Sequence, residues 1–124
     1  MNESEINKLA DMVRETAFLT HSYFKNGFLE KVYENSLRNR LRKLGFKVDQ
    51  QVSVPVVDED GSTVGDYVAD LVVEDTILVE LKAVQTIKNE HIAQVLAYLR
   101  ATEMCHGLLI NFGSQKLQIR KFIQ

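Results

Sequence analysis

A chain of 124 residues with a net charge of −2, 45% hydrophobic and 26% charged residues and one proline has the composition of an ordinary globular protein. It is long enough for one core, read here as one domain over residues 1–124, and too short for two, and its composition excludes disorder. The single cysteine, Cys105, excludes an internal disulfide, no Cys/His spacing suits zinc, and no apolar run approaches the roughly 20 residues that cross a bilayer. The opening MNESEINKLADMVRE is a charged helix start rather than a signal peptide, so the expected location is the cytoplasm, with no membrane partner.

Asn2 and Glu5 form a variant capping box, and Ile6, Leu9, Ala10, Val13 and Ala17 follow at helical spacing, predicting a first helix that ends before His21. Asn26-Gly27 breaks the chain. Phe28 to Leu44 reads as a second helix with Leu29, Val32, Tyr33, Ser36, Leu37, Leu41 and Leu44 on one side, closed by Gly45. Phe46, Val48, Val52, Val54 and Val56 then alternate as a strand, interrupted at Gln50, before the turn DEDG at Asp58 to Gly61. Val64 to Val73 and Thr76 to Val84 are the next strands. Ile87 to Thr102 is a third helix with Ile92, Val95, Leu96 and Leu99 inward, and Gly107 to Phe112 and Lys116 to Phe122 are two last strands about Gly113-Ser114. The order α-α-β-β-β-α-β-β predicts a mixed α+β fold, a central mixed sheet of about five strands flanked by three helices.

Charge is distributed unevenly. Arg38 to Lys47 carries Arg38, Arg40, Arg42, Lys43 and Lys47 without an acid, whereas Asp58 to Glu80 carries eight acids without a base. A basic ridge beside an acidic cleft is the expected result, and an acidic cleft repels phosphate unless a cation intervenes. Met104-Cys105-His106 sets a thiol beside an imidazole, but neighbours on a strand point to opposite faces, so a catalytic Cys105 is not expected.

The segment ILVELKAVQ, Ile77 to Gln85, places charge inside a strand. Ile77, Val79 and Leu81 share one face, and Leu78, Glu80 and Lys82 the other. Burying Glu80 and Lys82 is costly unless they pair with each other or bind something. Asp70, in YVADLVV, lies one hairpin upstream, and two carboxylates on adjacent strands would supply oxygen ligands for Mg²⁺. They share a face only if the hairpin loop is odd in length or the strands bulge; a plain two-residue turn at Glu74-Asp75 would separate them. Glu30 opens the second helix with Gly27 and Tyr33 three residues to either side, either as a third acid of the site or as a capping-box residue behind Gly27. Gln94 and Tyr98 stand one turn apart on the third helix, with His91 on the same polar stripe.

Asp70 followed by Glu80-Leu81-Lys82 resembles the D…(D/E)xK signature of the PD-(D/E)XK nuclease superfamily, with Ala69 where the superfamily name has proline. Gly27 to Tyr33, GFLEKVY, resembles the GxxExxY signature of a small bacterial and archaeal family within it, and Gln94 and Tyr98 resemble the QxxxY motif of its exonuclease-like branches. The resemblance implies a restriction-endonuclease-like core and Mg²⁺-dependent phosphodiester hydrolysis, with Mn²⁺ as substitute. It implies Asp70, Glu80, the Leu81 carbonyl and Glu30 as metal ligands, Lys82 as the cation facing the reaction, and Gln94 and Tyr98 as positioning groups. Arg38, Arg42 and Lys43 would then contact flanking phosphates of a nucleic acid, DNA ahead of RNA, with monomer and homodimer both open. The alternative is a catalytically silent module that keeps the fold and binds nucleic acid or protein.

Overall fold

The computed structural model describes residues 1–124. Helix α1 runs from Glu3 to Phe24, with Asn2 and Glu5 making the reciprocal capping box. It continues past the expected stop because His21 is wanted inside the fold: its Nε2 lies 3.0 Å from the Ser114 carbonyl oxygen. Helix α2 spans Glu30–Lys43, two residues later than the sequence pattern suggests, with Leu29 at the N-cap. Gly27 has φ +120°, a conformation that L side chains rarely adopt, and the capping-box reading of Glu30 behind Gly27 is not realised. Strands β1 (Val48–Val57), β2 (Thr63–Val73) and β3 (Ile77–Lys82) precede helix α3 (Asn89–Thr102), and β4 (His106–Asn111) and β5 (Gln118–Ile123) complete the chain.

The five strands form one mixed sheet in the order β1-β2-β3-β4-β5. Only β3 and β4 are parallel, joined by the α3 crossover; the other neighbours are antiparallel. One face packs on α1 and α2 through a cluster that includes Leu9, Val13, Tyr33, Leu37, Leu41, Leu71, Val79, Leu108 and Phe112. The other packs on α3 through Tyr67, Ala69, Val72, Leu78, Val95, Leu99 and Leu109. Each fully buried aliphatic or aromatic side chain contributes about 1.5 to 3 kcal/mol, so burial against the helices dominates the stability of the sheet. Leu29 and Leu44, expected on the inner side of α2, are instead exposed at 81% and 52% because they are its N-cap and C-cap residues, beyond the turns that pack on the sheet.

β3 stops at Lys82, two residues short of expectation, because the Asn111 side chain takes over its pairing. Asn111 accepts from Val84 N–H and donates to Val84 C=O, each at 3.0 Å. The chain approaches so closely there that a Cβ on Gly113 would sit 2.4 Å from the Ala83 and Val84 backbone, which requires glycine.

Two features of the strands aim the polar residues. The β2–β3 loop has three residues, with Glu74 and Asp75 both at φ +53°, so Val73 faces Ile77 and Leu71 faces Val79. This is the odd-length loop that the sequence required, and it brings Asp70 level with Glu80. β2 also changes face at Asp70: Tyr67 and Ala69 point to the α3 side, whereas Leu71 and Val73 point to the α1/α2 side. β1 changes face opposite it, between Val48 and Val52, where Gln51 has φ +54° and drops out of the ladder. Such local breaks re-aim side chains beside functional sites.

Candidate active site

α2 and the break in β2 bring Glu30, Glu34 and Asp70 together, with one carboxylate oxygen from each lying within 4.8 Å of the others. Glu30 and Glu34 are one helical turn apart and therefore on one face. Sequence reasoning named Glu30 and Asp70 but missed Glu34. Its signal was this i, i+4 spacing in EKVYE, which also fits a solvated helix face. Glu34 is buried at 1% exposure and accepts from three side chains: Lys31 Nζ at 2.9 Å, the Gln50 amide, and the Gln51 amide at 3.0 and 3.1 Å.

Asp70 accepts from the Leu81 backbone N–H at 2.9 Å through Oδ2, which fastens it to the strand that carries Glu80 and Lys82. Burial raises the Asp70 pKa, and Glu34 adds to this, against the Leu81 hydrogen bond and Lys82. Glu30 is likewise raised, first by burial and then by Asp70, with Lys82 opposing.

Glu80 lies level with Asp70 but outside the close carboxylate group. Its Oε1 accepts from the Tyr67 hydroxyl and, at 3.4 Å, from the Asp70 backbone N–H. It is 5% exposed, and burial pushes its pKa up to about 8 despite Lys82 and the Asp70 amide. Tyr67, which the sequence reading left without a role, stacks on Tyr98 with ring centroids 3.5 Å apart and planes at 21°. The Tyr98 pKa is raised by burial and then by the nearby Glu80 and Asp70.

Lys82 does not form the structural ion pair with Glu80. Its Nζ donates to Gln94 Oε1 at 3.1 Å, so Gln94 orients the ammonium while Tyr98, one turn on, covers Tyr67. His91 is spent locally, Nδ1 accepting from Lys88 N–H at 3.0 Å. Tyr33 is fully buried, stacked on Phe112 and donating to the Lys25 carbonyl at 2.6 Å; it shapes the turn before Glu30 and does not face the acids.

The basic run divides. Arg38 donates to Gln50 Oε1, and Gln50 in turn reaches Glu34, so Arg38 belongs to the outer ring of the site. Arg42 places Nη2 2.6 Å and Nε 3.2 Å from the Val48 carbonyl oxygen and ties α2 to β1. Lys43 lines the groove between α1 and α2, about half a turn around the helix from Glu34.

A family profile described as the PD-(D/E)XK nuclease superfamily matches residues 7–122. The chain belongs to this superfamily, and its five-stranded mixed sheet with three helices is consistent with the restriction-endonuclease-like fold. Among solved structures it is similar to one described as the crystal structure of SSO0001, at 16% identity and a TM-score of 0.59, with coverage of 76% of this chain and 49% of that one. The chain thus spans about half the length of that protein. No curated protein matches it in sequence.

The donor set fits a hard divalent cation. Glu30, Glu34 and Asp70 offer oxygen alone, the ligand atom that hard divalent cations take, and burial raises the pKa of the Glu30 and Asp70 carboxyls. No helix is long and apolar enough to cross a membrane.

Proposed function

We propose that the protein is a Mg²⁺-dependent nuclease that hydrolyses phosphodiester bonds, DNA ahead of RNA, and a member of the GxxExxY branch, a reading that the spacing of Gly27, Glu30 and Tyr33 supports. The observation that carries the proposal is the convergence of Glu30, Glu34 and Asp70 within 4.8 Å beside the Lys82–Gln94 pair. When bound, the cation supplies Lewis-acid stabilisation of charge developing on the phosphoryl group and makes a water easier to deprotonate. Glu30, Glu34 and Asp70 would hold it, with Asp70 fixed by the Leu81 amide.

Lys82 is kept off the acids by Gln94 and so presents its ammonium to the attacking water or to the phosphoryl oxygens, an electrostatic role. Glu80, held by Tyr67 and raised to about 8, carries a proton at neutral pH in the cation-free protein and offers a further oxygen at the edge of the cluster. Tyr98 presses on Tyr67 and keeps that carboxyl in place. Arg38 rims the site where flanking phosphates would pass, contacts that position without reading sequence.

The test is a cleavage assay on labelled single- and double-stranded DNA and RNA with Mg²⁺ and with Mn²⁺, using Asp70→Asn as control. Cation-dependent cleavage lost in the variant is expected. Absence of cleavage on every substrate with either cation would overturn the nuclease reading and leave a binding module.

A further inference from the structure

The Gln51 side-chain amide already bridges the carboxylates of the cluster. Its Nε2 lies 3.0 and 3.1 Å from the two oxygens of Glu34 and 3.5 Å from Asp70 Oδ1. Lys31 and Gln50 also reach Glu34, but their contacts are to Glu34 and not to Asp70. An amide NH₂ carries two hydrogens of partial positive charge, so between two carboxylates it does weakly what a divalent cation does strongly.

The backbone supports the same role. Gln51 holds φ +54°, a left-handed conformation uncommon for a residue with a side chain, at the break in the β1–β2 ladder opposite Asp70. Its side chain is thereby directed at the acids while the residue itself remains exposed. Moving it away uncovers no core, unlike moving the buried Glu34.

We infer that Gln51 is an internal plug of the cation site: its amide bridges Glu34 and Asp70 in the cation-free protein and gives way when the cation enters. This rests on the reading of the cluster as a cation site. The amide stabilises the empty cluster, and an entering cation displaces it, so the plug weakens cation affinity by the free energy of the contacts it gives up.

The experiment is calorimetric titration with Mn²⁺ alone on the wild type, Gln51→Ala and Gln51→Met, with thermal melting of each in chelator and in saturating Mn²⁺. Gln51→Met keeps the apolar stem and deletes the donor, and far-UV circular dichroism confirms that each variant is folded. Both variants should bind Mn²⁺ more tightly, by about fivefold to tenfold, the equivalent of one net hydrogen bond. Both should melt lower than wild type in chelator, with the gap closing in Mn²⁺. Weaker binding in both variants would make Gln51 a ligand and overturn the inference, as would unchanged affinity. A wild type that binds no Mn²⁺ would instead overturn the cation-site reading beneath it.

Discussion

Glu34 and Glu80 are the two carboxylates that the fold buries, at 1% and 5% exposure, and their surroundings differ. Glu34 is met by the Lys31 ammonium and by the amides of Gln50 and Gln51. Glu80 is met by one tyrosine hydroxyl and a backbone N–H at 3.4 Å, and its pKa rises to about 8. Similar burial therefore comes with unequal partners: three side-chain donors, one of them an ammonium, reach Glu34, whereas one hydroxyl and one backbone N–H reach Glu80. Asp70 lies between the two environments, reached by Gln51 on one side and tied to Leu81 on the other.

The largest expected effects are on cleavage. Asp70→Asn removes charge from the point where the environments meet, and Lys82→Met deletes the ammonium while keeping its stem. Each should lower the cleavage rate by roughly 10² to 10³-fold. Lys82→Met should nevertheless stay folded, because Lys82 bonds Gln94 and not a buried acid. A Lys82→Met protein that unfolds would show an ion-pair role after all.

Next is a pH effect specific to the Glu80 side. Its folded pKa of about 8 stands above the ordinary 4.5, so between these values the folded state keeps a proton that the unfolded state has released. Stability from this group is complete below about 4.5 and is lost as pH rises through 8. The cation-free melting temperature should fall from pH 5 to pH 8, and Glu80→Gln should flatten that slope and melt higher at pH 8. A slope unchanged by Glu80→Gln would move the titration elsewhere, Glu30 and Asp70 being raised in the same direction.

On the Glu34 side, Glu34→Ala removes the acceptor that Lys31, Gln50 and Gln51 share and should cost about 1 to 3 kcal/mol in urea denaturation. The smallest effect belongs to Tyr67→Phe, which removes the hydroxyl from Glu80 but keeps the stack on Tyr98. It should cost about 1 kcal/mol at pH 6. A Tyr67→Phe loss larger than that of Glu34→Ala would reverse the comparison.

The element order was legible because apolar periodicity reports burial, and the parity of the β2–β3 loop followed from the need to bring Asp70 level with Glu80. The boundaries were less legible. Tertiary contacts decide them: His21 is drawn onto Ser114, and Asn111 replaces the end of β3. Within the site, Glu30, Asp70, Glu80, Lys82, Gln94 and Tyr98 were named from motifs. Glu34 was not, because an acid one turn after another on a helix looks the same whether it meets water or strand β1. Gln51 stayed hidden beside the noted interruption at Gln50, since a left-handed residue that carries a side chain leaves no periodic trace. Tyr67 falls in the strand pattern, and only the fold shows that its hydroxyl ends on Glu80.

The most direct test of the central claim is a crystal grown with Mn²⁺ and measured at the manganese absorption edge. The account predicts an anomalous peak among the carboxylates of Glu30, Glu34 and Asp70, absent in Asp70→Asn. A peak elsewhere in the wild type, or none at saturating Mn²⁺, would contradict it.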